Sequence, residues 1–439
     1  MVSDYSLRMS AKIHPRLRWR TVLLLLACAA VTFTGLPALD AAGFRAGVAV
    51  RIVTPDPLLP VSGGVGPSHP VQEKRGDLTV RALVFERDDT RVAFVSVDFL
   101  GFPAVLARKV CAGVAGIPAE HVLIGATHTH SAPDCYAFPD AQGRTGADLA
   151  YLERVCREAA GAINDAVDHL APAELRIATG EARGRIAFNY YAEQLYDPRC
   201  HVIQVRAPGE RPLATLVNYA IHPEVLGSEA GLLSPDLIGP LYDRLAERGG
   251  GVGVFMNSAQ GGMVTADNRG PNGEDLRTWD ECLRIGRLLA NEALRIVEGA
   301  TWQREPALAC FSREISLPVD SPEMRLIMQH SPLGYSAPDT ATVSTRLNLV
   351  NLGPAQILTI PGEALPNLGF YLKRKMRGEH NLLFGLTNDA FGYILAKYDW
   401  RSFKRYDYIS RVCLGEMTGE IYVEEALRLV AESPAPAQP

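Results

Sequence analysis

The chain has 439 residues, of which 47% are hydrophobic and 21% are charged, and its formal net charge is −5. This length is sufficient to bury a large hydrophobic core. Basic and acidic residues are nearly balanced, at 44 and 49, and they form no long run of one sign, so the sequence carries no electrostatic footprint for DNA or RNA. Glycine and proline are scattered without a fixed period, which excludes collagen-like and solenoid architectures. We therefore expect a globular protein that does not bind nucleic acid.

The first 43 residues differ in character from the rest of the chain. Several basic residues precede an apolar run from Val22 to about Phe33, which is the layout of an export signal. The run is shorter than the roughly 20 residues that a transmembrane helix usually needs. Cys28 ends a stretch that resembles a bacterial lipobox, so cleavage between Leu39 and Gly43, lipidation of Cys28 and retention as an N-terminal anchor all stay open. Each alternative predicts an exported protein that is periplasmic, secreted or membrane-anchored.

Beyond the N-terminal segment, hydrophobic patterns of strand period and helix period alternate. They predict an α/β fold with a mixed β-sheet core and flanking helices. No low-complexity linker divides residues 44–431, so we expect one large domain, followed by a disordered tail at residues 432–439. The predicted strands are Phe44–Val53, Leu78–Glu86, Val92–Phe99, Val122–Gly125, Leu175–Ala178, His201–Arg206, Ala214–Ala220, Phe311–Leu317, Thr342–Leu352 and Ala355–Ile360, and the predicted helices are Ala104–Gly116, Leu149–Leu170, Leu237–Arg248, Trp279–Glu298 and Ala364–Met376.

Two histidines follow directly on the short apolar strand Val122–Gly125. His128 and His130 are two residues apart, at a position where a sheet often passes the chain to a functional loop. Such a pair indicates either a metal site or hydrogen-bonded loop histidines, and the spacing alone does not distinguish the two.

Two further strand ends carry groups of the same kind. His222 follows the strand Ala214–Ala220, and Glu363 follows the strand Ala355–Ile360. Imidazole nitrogen and carboxylate oxygen are the ligands of catalytic zinc, which also keeps one position for water. The sequence therefore predicts a metal site at strand ends.

Taken together and in this order, these motifs resemble those of the neutral/alkaline ceramidases. The segment Gly125–Pro133 is similar to the family's GTHTHSGP, Ala220–Pro223 to its AIHP, and Ile360–Glu363 to its VPGE. The stretch Gly385–Tyr393 is similar to GL-x-N-x4-Y, and Asp98 lies in a stretch that resembles SIDIG. The resemblance covers roughly residues 44–406.

The resemblance implies that residues 44–431 form a ceramidase-like catalytic domain with one Zn²⁺. It implies that His128, His222, Glu363 and Tyr393 bind the metal and that His130 carries a proton beside the scissile bond. Tyr393 fits this set because a divalent cation favours the phenolate over the phenol. The implied activity is that of a metal-dependent amidohydrolase that cleaves an N-acylated lipid such as ceramide by means of an activated water. The expected partners are a small-molecule or lipid acyl-amide substrate and a membrane surface.

The chain also departs from the family pattern in several places. Thr265 replaces the serine of the family's GDVSPN segment, and we expect its hydroxyl to take a hydrogen-bonding catalytic role. Asn189 matches an NRSP segment whose arginine is absent here, which favours a changed substrate pocket. Asp236 matches an SDN segment and either orients His222 or caps a helix. Asp98 is expected near the same site. The chain ends soon after the motifs, so we expect no C-terminal immunoglobulin-like domain.

Two other functions stay open from the sequence. The same zinc site would suit an esterase, a lactonase or a cell-envelope amidase, because an activated water attacks several kinds of acyl carbon. Thr265 and the missing arginine are also compatible with a non-catalytic exported protein that binds lipids.

Overall fold

The computed structural model describes residues 43–64, 66–140, 142–335 and 341–437. The predicted export signal therefore lies, apart from Gly43, outside the described residues. Residues Phe44–Pro439 form one compact unit. No helix within the four described ranges is long and apolar enough to cross a bilayer. The seven cysteines in these ranges are all free.

The described residues contain twenty-one strands and eight α-helices. The strands are β1 Arg45–Ile52, β2 Val61–Ser62, β3 Glu73–Lys74, β4 Thr79–Arg87, β5 Thr90–Val97, β6 Val122–Ala126, β7 Ala132–Pro133, β8 Ala171–Pro172, β9 Glu174–Glu181, β10 Ala187–Asn189, β11 Arg199–Arg206, β12 Pro212–Tyr219, β13 Leu232–Leu233, β14 Val252–Asn257, β15 Val264–Ala266, β16 Leu308–Pro318, β17 Thr342–Leu352, β18 Ala355–Thr359, β19 Glu363–Ala364, β20 His380–Phe384 and β21 Tyr393–Ile394. The helices are α1 Ala104–Ala112, α2 Leu149–Asp168, α3 Ile238–Glu247, α4 Trp279–Val297, α5 Pro322–His330, α6 Pro366–Lys375, α7 Asp407–Arg411 and α8 Thr418–Glu432.

Every strand and helix predicted from the sequence is present, with ends shifted by a few residues. Helix α1 is shorter than predicted because Gly113 caps it and Gly116 adopts a φ of +73°, a conformation that ends a helix. The sequence patterns missed strands β14 and β20 and helices α5, α7 and α8. Strand β14 was missed because glycines flank and interrupt its apolar run.

Three larger sheets form the frame of the protein. Their strand orders are β6-β5-β4-β1-β8, β14-β12-β11-β9 and β16-β17-β18-β20. Most neighbouring strands are antiparallel, but each sheet contains one parallel pair, β5 with β6, β12 with β14, and β18 with β20. The two strands of a parallel pair run in the same direction, so in each sheet the carboxyl ends of two neighbouring strands lie side by side.

The inner faces of the three sheets meet in one central core. Phe94 of β5 and Phe384 of β20 pack edge to face with ring centroids 5.2 Å apart, and Met256 of β14 joins them from the second sheet. Helix α2 covers the outer face of the first sheet, α3 and α4 cover the second, and α6 and α8 cover the third. The six consecutive residues 92–97 of β5 are therefore all buried, as in strands covered on both faces. This arrangement confirms the mixed α/β fold class.

The described part of the C-terminus packs against the third sheet. Ser433 is buried, and the backbone carbonyl of Pro434 accepts a hydrogen bond from Asn351 of β17 at 2.9 Å. Disorder over residues 432–439 as a whole stays a prediction.

A buried ion pair connects α6 to the residues before β11. Lys373 donates to Asp197 at 2.9 Å, and the two side chains are only 3% and 9% exposed. Arg199 donates to the other carboxylate oxygen at 2.7 Å. Burial by itself would raise the pKa of Asp197, but the two cations more than offset burial and hold that pKa well below its ordinary value. The carboxylate is therefore charged at neutral pH.

We expect Asp197→Asn to lower the free energy of unfolding by about 3–5 kcal/mol, because it leaves the Lys373 ammonium buried without a carboxylate. Urea unfolding measures this change. The double variant Asp197→Asn/Lys373→Met should lose less, since neither charge remains. Asp243→Asn, at an exposed position in α3, is the control and should stay within roughly 0.5 kcal/mol of the parent. If Asp197→Asn were as stable as this control, the pair would contribute nothing to stability.

Candidate metal centre

Three histidines gather where strands of the first two sheets end. His128 lies two residues beyond β6, and His222 lies three residues beyond β12. The possible ligand atoms of His128, His130 and His222 lie within 4.8 Å of one another. The described residues therefore contain a histidine group of the right size to hold a metal ion.

The third sheet adds a carboxylate to this group. Glu363 lies beyond the end of β18, and its Oε2 atom is 3.1 Å from Nε2 of His222 and 3.5 Å from Nε2 of His128. All three side chains are buried. Strand β19 pairs in parallel with β21 so that Glu363 is opposite Tyr393, whose hydroxyl donates to the sulfur of Met263 at 3.2 Å. The structure thus brings His128, His222 and Glu363 together, and it places Tyr393 opposite Glu363 in the strand pair.

Backbone carbonyls fix the orientation of two of the imidazoles. Nδ1 of His128 donates to the carbonyl of Leu100 at 2.5 Å, and Nδ1 of His222 donates to the carbonyl of Val264 at 2.8 Å. Because a carbonyl only accepts, Nδ1 carries the proton in both rings and Nε2 faces Glu363. Metal-binding histidines are commonly oriented in this way.

The charges of these groups are suited to a cation. Burial lowers the pKa of His128 to about 3, so its imidazole is neutral. Burial also opposes a charge on His222, but the hydrogen bond to Glu363 and the nearby Glu224 raise its pKa to about 9, and the pKa of Glu363 is lowered in turn. The site therefore contains a neutral imidazole, a carboxylate and a protonated His222, and a divalent cation would take the place of the proton on Nε2 of His222.

His130 differs from the other two histidines in its partners. Its Nδ1 atom lies 3.7 Å from Oε2 of Glu224, and its buried Nε2 atom has no hydrogen-bond partner among the described residues. A buried nitrogen without a partner is costly, so this atom fits a role towards a ligand or substrate. The sequence analysis missed Glu224, although its position two residues after His222 in the loop was available as a signal.

A buried asparagine connects the loops of the two histidines. Asn257, at the end of β14, donates from Nδ2 to the carbonyls of Thr127 at 3.1 Å and Ile221 at 2.7 Å. These carbonyls directly precede His128 and His222 in the chain. Its Oδ1 atom accepts from the backbone nitrogens of Ser258 and Ile221. One fully satisfied side chain thus fixes the spacing of two ligands, and it was missed because β14 was not predicted.

The backbone around the ligands is also tightly constrained. His128 has a φ of +76°, which is unfavourable for a residue with a Cβ atom and persists only where the surroundings impose it. Gly261 lies so close to the next loop that a Cβ atom there would be 2.1 Å from the carbonyl oxygen of Glu363. The loop after β14 therefore supports the backbone of the carboxylate ligand directly.

A cavity of about 780 Å³ opens beside these groups. His128, His130, Glu363 and Tyr393 lie in its wall, and so does Tyr408, whose ring centroid is 6.0 Å from that of Tyr393. Tyr408 was also missed from the sequence. The volume is in the range of small-molecule sites. The apolar part of the wall comprises Leu100, Tyr136, Phe138, Met324, Ile327, Met328, Tyr335, Phe391, Val412 and Leu414.

Two predicted acidic residues hydrogen-bond to neighbouring backbone or side-chain groups and lie outside the described cavity wall. Asp98 accepts from the backbone nitrogen and the hydroxyl of Thr79 at 2.8 and 2.7 Å. Asp236 accepts from the backbone nitrogens of Leu226 and Leu237, at 2.9 and 2.7 Å. Asp236 thus stabilises the loop between His222 and α3. It does not accept a hydrogen bond from the His222 ring, because Nδ1 of that ring donates to the carbonyl of Val264.

Asn189 and Thr265 likewise lie outside the described part of the cavity wall. Asn189 closes its own turn, accepting from the backbone of Tyr191 and donating to the carbonyl of Leu195, both at 2.8 Å. Thr265 lies in β15, next to Val264, whose carbonyl orients the ring of His222. Their roles in substrate binding and catalysis stay predictions.

Comparison with known proteins establishes the fold. No family profile matches the chain, and no curated protein sequence matches it. The crystal structure of neutral ceramidase from Pseudomonas aeruginosa superposes with a TM-score of 0.74 at 16% sequence identity, covering 91% of this chain and 76% of that one. A ceramidase complexed with C2 gives a TM-score of 0.71 at 16% identity, with 91% and 77% coverage. The resemblance stated from the motifs is therefore confirmed at the level of the fold, and this chain has the fold of neutral ceramidase.

Proposed function

We propose that the protein is a zinc-dependent hydrolase that cleaves the amide bond of an N-acylated lipid such as ceramide. The observation that carries this proposal is the meeting of His128, His222 and Glu363 beside a large cavity whose wall is largely apolar. The fold of neutral ceramidase supports an amide as the bond that is cleaved.

We assign the zinc to His128, His222, Glu363 and Tyr393. The donor set of two imidazoles, a carboxylate and a phenol suits this ion, and the single positive charge held on His222 beside Glu363 supports the assignment. When bound, zinc lowers the pKa of water and polarises an acyl carbonyl. Burial beside Glu363 raises the pKa of Tyr393 well above its ordinary value, so this phenol stays protonated unless a cation is next to it.

His130 is the group that we assign to proton transfer. Burial and the neighbouring His222 lower its pKa to about 3, so its ring is neutral at neutral pH and one of its nitrogens has a free lone pair. Glu224, 3.7 Å from Nδ1, stabilises the imidazolium that this transfer creates. Nε2, which has no other partner among the described residues, accepts the proton that the attacking water loses and passes it to the leaving amine.

The cavity explains why an acyl chain is a suitable part of the substrate. Met324, Ile327 and Met328 of α5 line its wall together with Phe138 and Phe391, and burying an acyl chain among them is favourable by about 0.8 kcal/mol per methylene. The methionines can adjust to the chain because their side chains are flexible. Ser68, Asp134 and Thr145 in the same wall offer polar contacts to the remaining part of the substrate.

We also propose that the reaction takes place outside the cytoplasm. The basic residues and the apolar run before Gly43 support export.

We expect the purified protein to retain about one equivalent of zinc after dialysis. A chelator should abolish hydrolysis of an N-acyl lipid amide, and added zinc should restore it. A panel of amides, esters and lactones of one acyl chain tests the alternatives, because a zinc esterase would cleave the ester and leave the amide intact. A protein that holds no zinc and still binds the lipid would instead be a non-catalytic lipid-binding protein.

His128→Ala and His222→Ala should each lose both zinc and turnover, because each removes a ligand. His130→Ala should keep the zinc and lose about 10²–10⁴-fold in turnover, because it removes the proton carrier. Metal analysis and kcat on a soluble acyl amide measure the two effects, and His169→Ala, at an exposed position, is the control. Loss of zinc in His130→Ala would show that the three histidines, rather than the assigned set, bind the metal.

Asn257→Asp should weaken zinc binding by about 10–100-fold, because a carboxylate cannot donate to the carbonyls of Thr127 and Ile221. Competition with a chromophoric chelator measures the affinity, and circular dichroism confirms that the variant is folded. Asn272→Asp adds the same charge at an exposed position and should bind zinc like the parent. Unchanged affinity in folded Asn257→Asp would show that this side chain does not position the ligands.

A further inference from the structure

One exposed surface of the protein carries large aromatic side chains. Tyr398, Phe403 and Tyr190 are 77%, 64% and 60% exposed. Two of them belong to residues 397–408, which lead into and enter α7, and Tyr190 lies beside this segment. We call residues 397–408 together with Tyr190 the basic-aromatic surface. Single exposed hydrophobic residues are ordinary, but several together mark an interaction site.

Contacts among its members show that this surface is continuous. Arg405 donates to the backbone carbonyl of Tyr190 at 3.2 Å, and its guanidinium lies 5.7 Å from the centre of that ring. The rings of Phe403 and Tyr406 are 5.5 Å apart, and those of Tyr406 and Tyr191 are 5.3 Å apart. Tyr190, Phe403, Arg405 and Tyr406 therefore form one patch, and Tyr398 lies in the same segment of the chain.

Basic side chains alternate with these rings. Lys397, Arg401, Lys404 and Arg405 are exposed, and none of them forms an ion pair with a carboxylate of the described residues. The Lys397 ammonium lies 5.2 Å from the centre of the Tyr398 ring. Residues 397–408 contain four basic and two acidic side chains, although the whole chain has a net charge of −5. The surface is thus locally positive on an acidic protein.

The basic-aromatic surface borders the cavity of the proposed active site. Tyr408 lines the cavity and is also 40% exposed, so it belongs to both. On the inner side of the segment, Trp400 and Tyr406 pack against the cluster that contains Tyr393 and Leu365. A partner bound to this surface would therefore lie beside the opening of the cavity.

Aromatic rings interleaved with cations suit two kinds of partner, a bilayer interface and a single nucleic-acid strand. The balanced charge of the remaining chain offers no wider basic field to follow a nucleic acid. A cavity with an apolar wall at the same place favours the lipid, and this choice rests on the proposed function.

We propose that the basic-aromatic surface docks the protein onto an anionic lipid bilayer and turns the cavity opening towards the membrane. Tyr and Trp rings settle at the level of the headgroups. Each basic side chain near an anionic surface adds about fivefold to the affinity. Because the chain as a whole has a net charge of −5, an anionic bilayer attracts this surface more strongly than the average of the remaining surface, and the attraction therefore also orients the protein.

The test is flotation of the full chain with phosphatidylcholine vesicles, with and without phosphatidylserine. The triple variant K397Q/R401Q/K404Q should bind the anionic vesicles on the order of a hundredfold more weakly than the parent. The control R211Q/R248Q/R374Q removes three other exposed cations outside the basic-aromatic surface and should bind like the parent. All three proteins carry the same N-terminal segment, so its own affinity for vesicles cancels in the comparison.

Hydrogen exchange assigns the binding to the surface itself, and residues 397–408 should become protected when anionic vesicles are added. Equal binding by the parent and the triple variant, or unchanged exchange in this segment, would overturn the proposal. Binding of a single-stranded oligonucleotide without binding of vesicles would overturn it in favour of nucleic acid.

Hydrolysis of a soluble short-chain acyl amide should be the same in the triple variant and the parent. If the parent protein binds anionic vesicles but hydrolyses no acyl amide, the proposed function is refuted and the docking proposal stands.

Discussion

The two hydrogen bonds that Asn257 donates to the carbonyls of Thr127 and Ile221 are the constraint on which the site depends. They join the loops that follow strands of two different sheets, and they act one residue before each of the candidate ligands His128 and His222. The asparagine is fully buried and uses both its amide hydrogens and its oxygen. A buried amide with all of its partners is rigid, whereas one that has lost them is costly. The spacing of His128 and His222 is thereby tied to the stability of the core.

The arrangement of the three sheets explains why ligands from distant parts of the sequence meet. Each sheet contains one parallel pair of strands, and the ends of these pairs converge at one point. The first sheet supplies His128, the second supplies His222, and the third supplies Glu363. Asn218 of β12 reinforces this junction by donating to the carbonyls of Asn257 in its own sheet and Leu383 in the third. Groups placed at the ends of buried strands are held more precisely than groups on long loops, which is what metal binding requires.

Most strands of the three sheets could be predicted from the sequence because buried strands produce continuous or alternating runs of apolar residues. His128, His222 and Glu363 could be found because each directly follows such a run. The role of Asn257 could not be predicted, since β14 is flanked and interrupted by glycines. The function of this asparagine is also visible only once the two carbonyls that it contacts are located in the fold. The contact between Glu224 and His130 is likewise tertiary. Local patterns report which face of an element is buried, and they carry no information on which two loops meet.

Electrostatics links the metal site to the fold. Removing a carboxylate and an imidazole from water costs several kcal/mol per charge, and pairing offsets this only in good geometry. The pKa of His222 is raised by Glu363 above its value in the unfolded chain. While Glu363 is ionised, the pair therefore stabilises the fold fully below the unfolded pKa of about 6.5, and its contribution is lost as the pH rises through the folded pKa of about 9. A cation at the same place must displace the proton that His222 holds. Proton and metal thus compete for one position, and a rise in pH that weakens the ion pair strengthens metal binding.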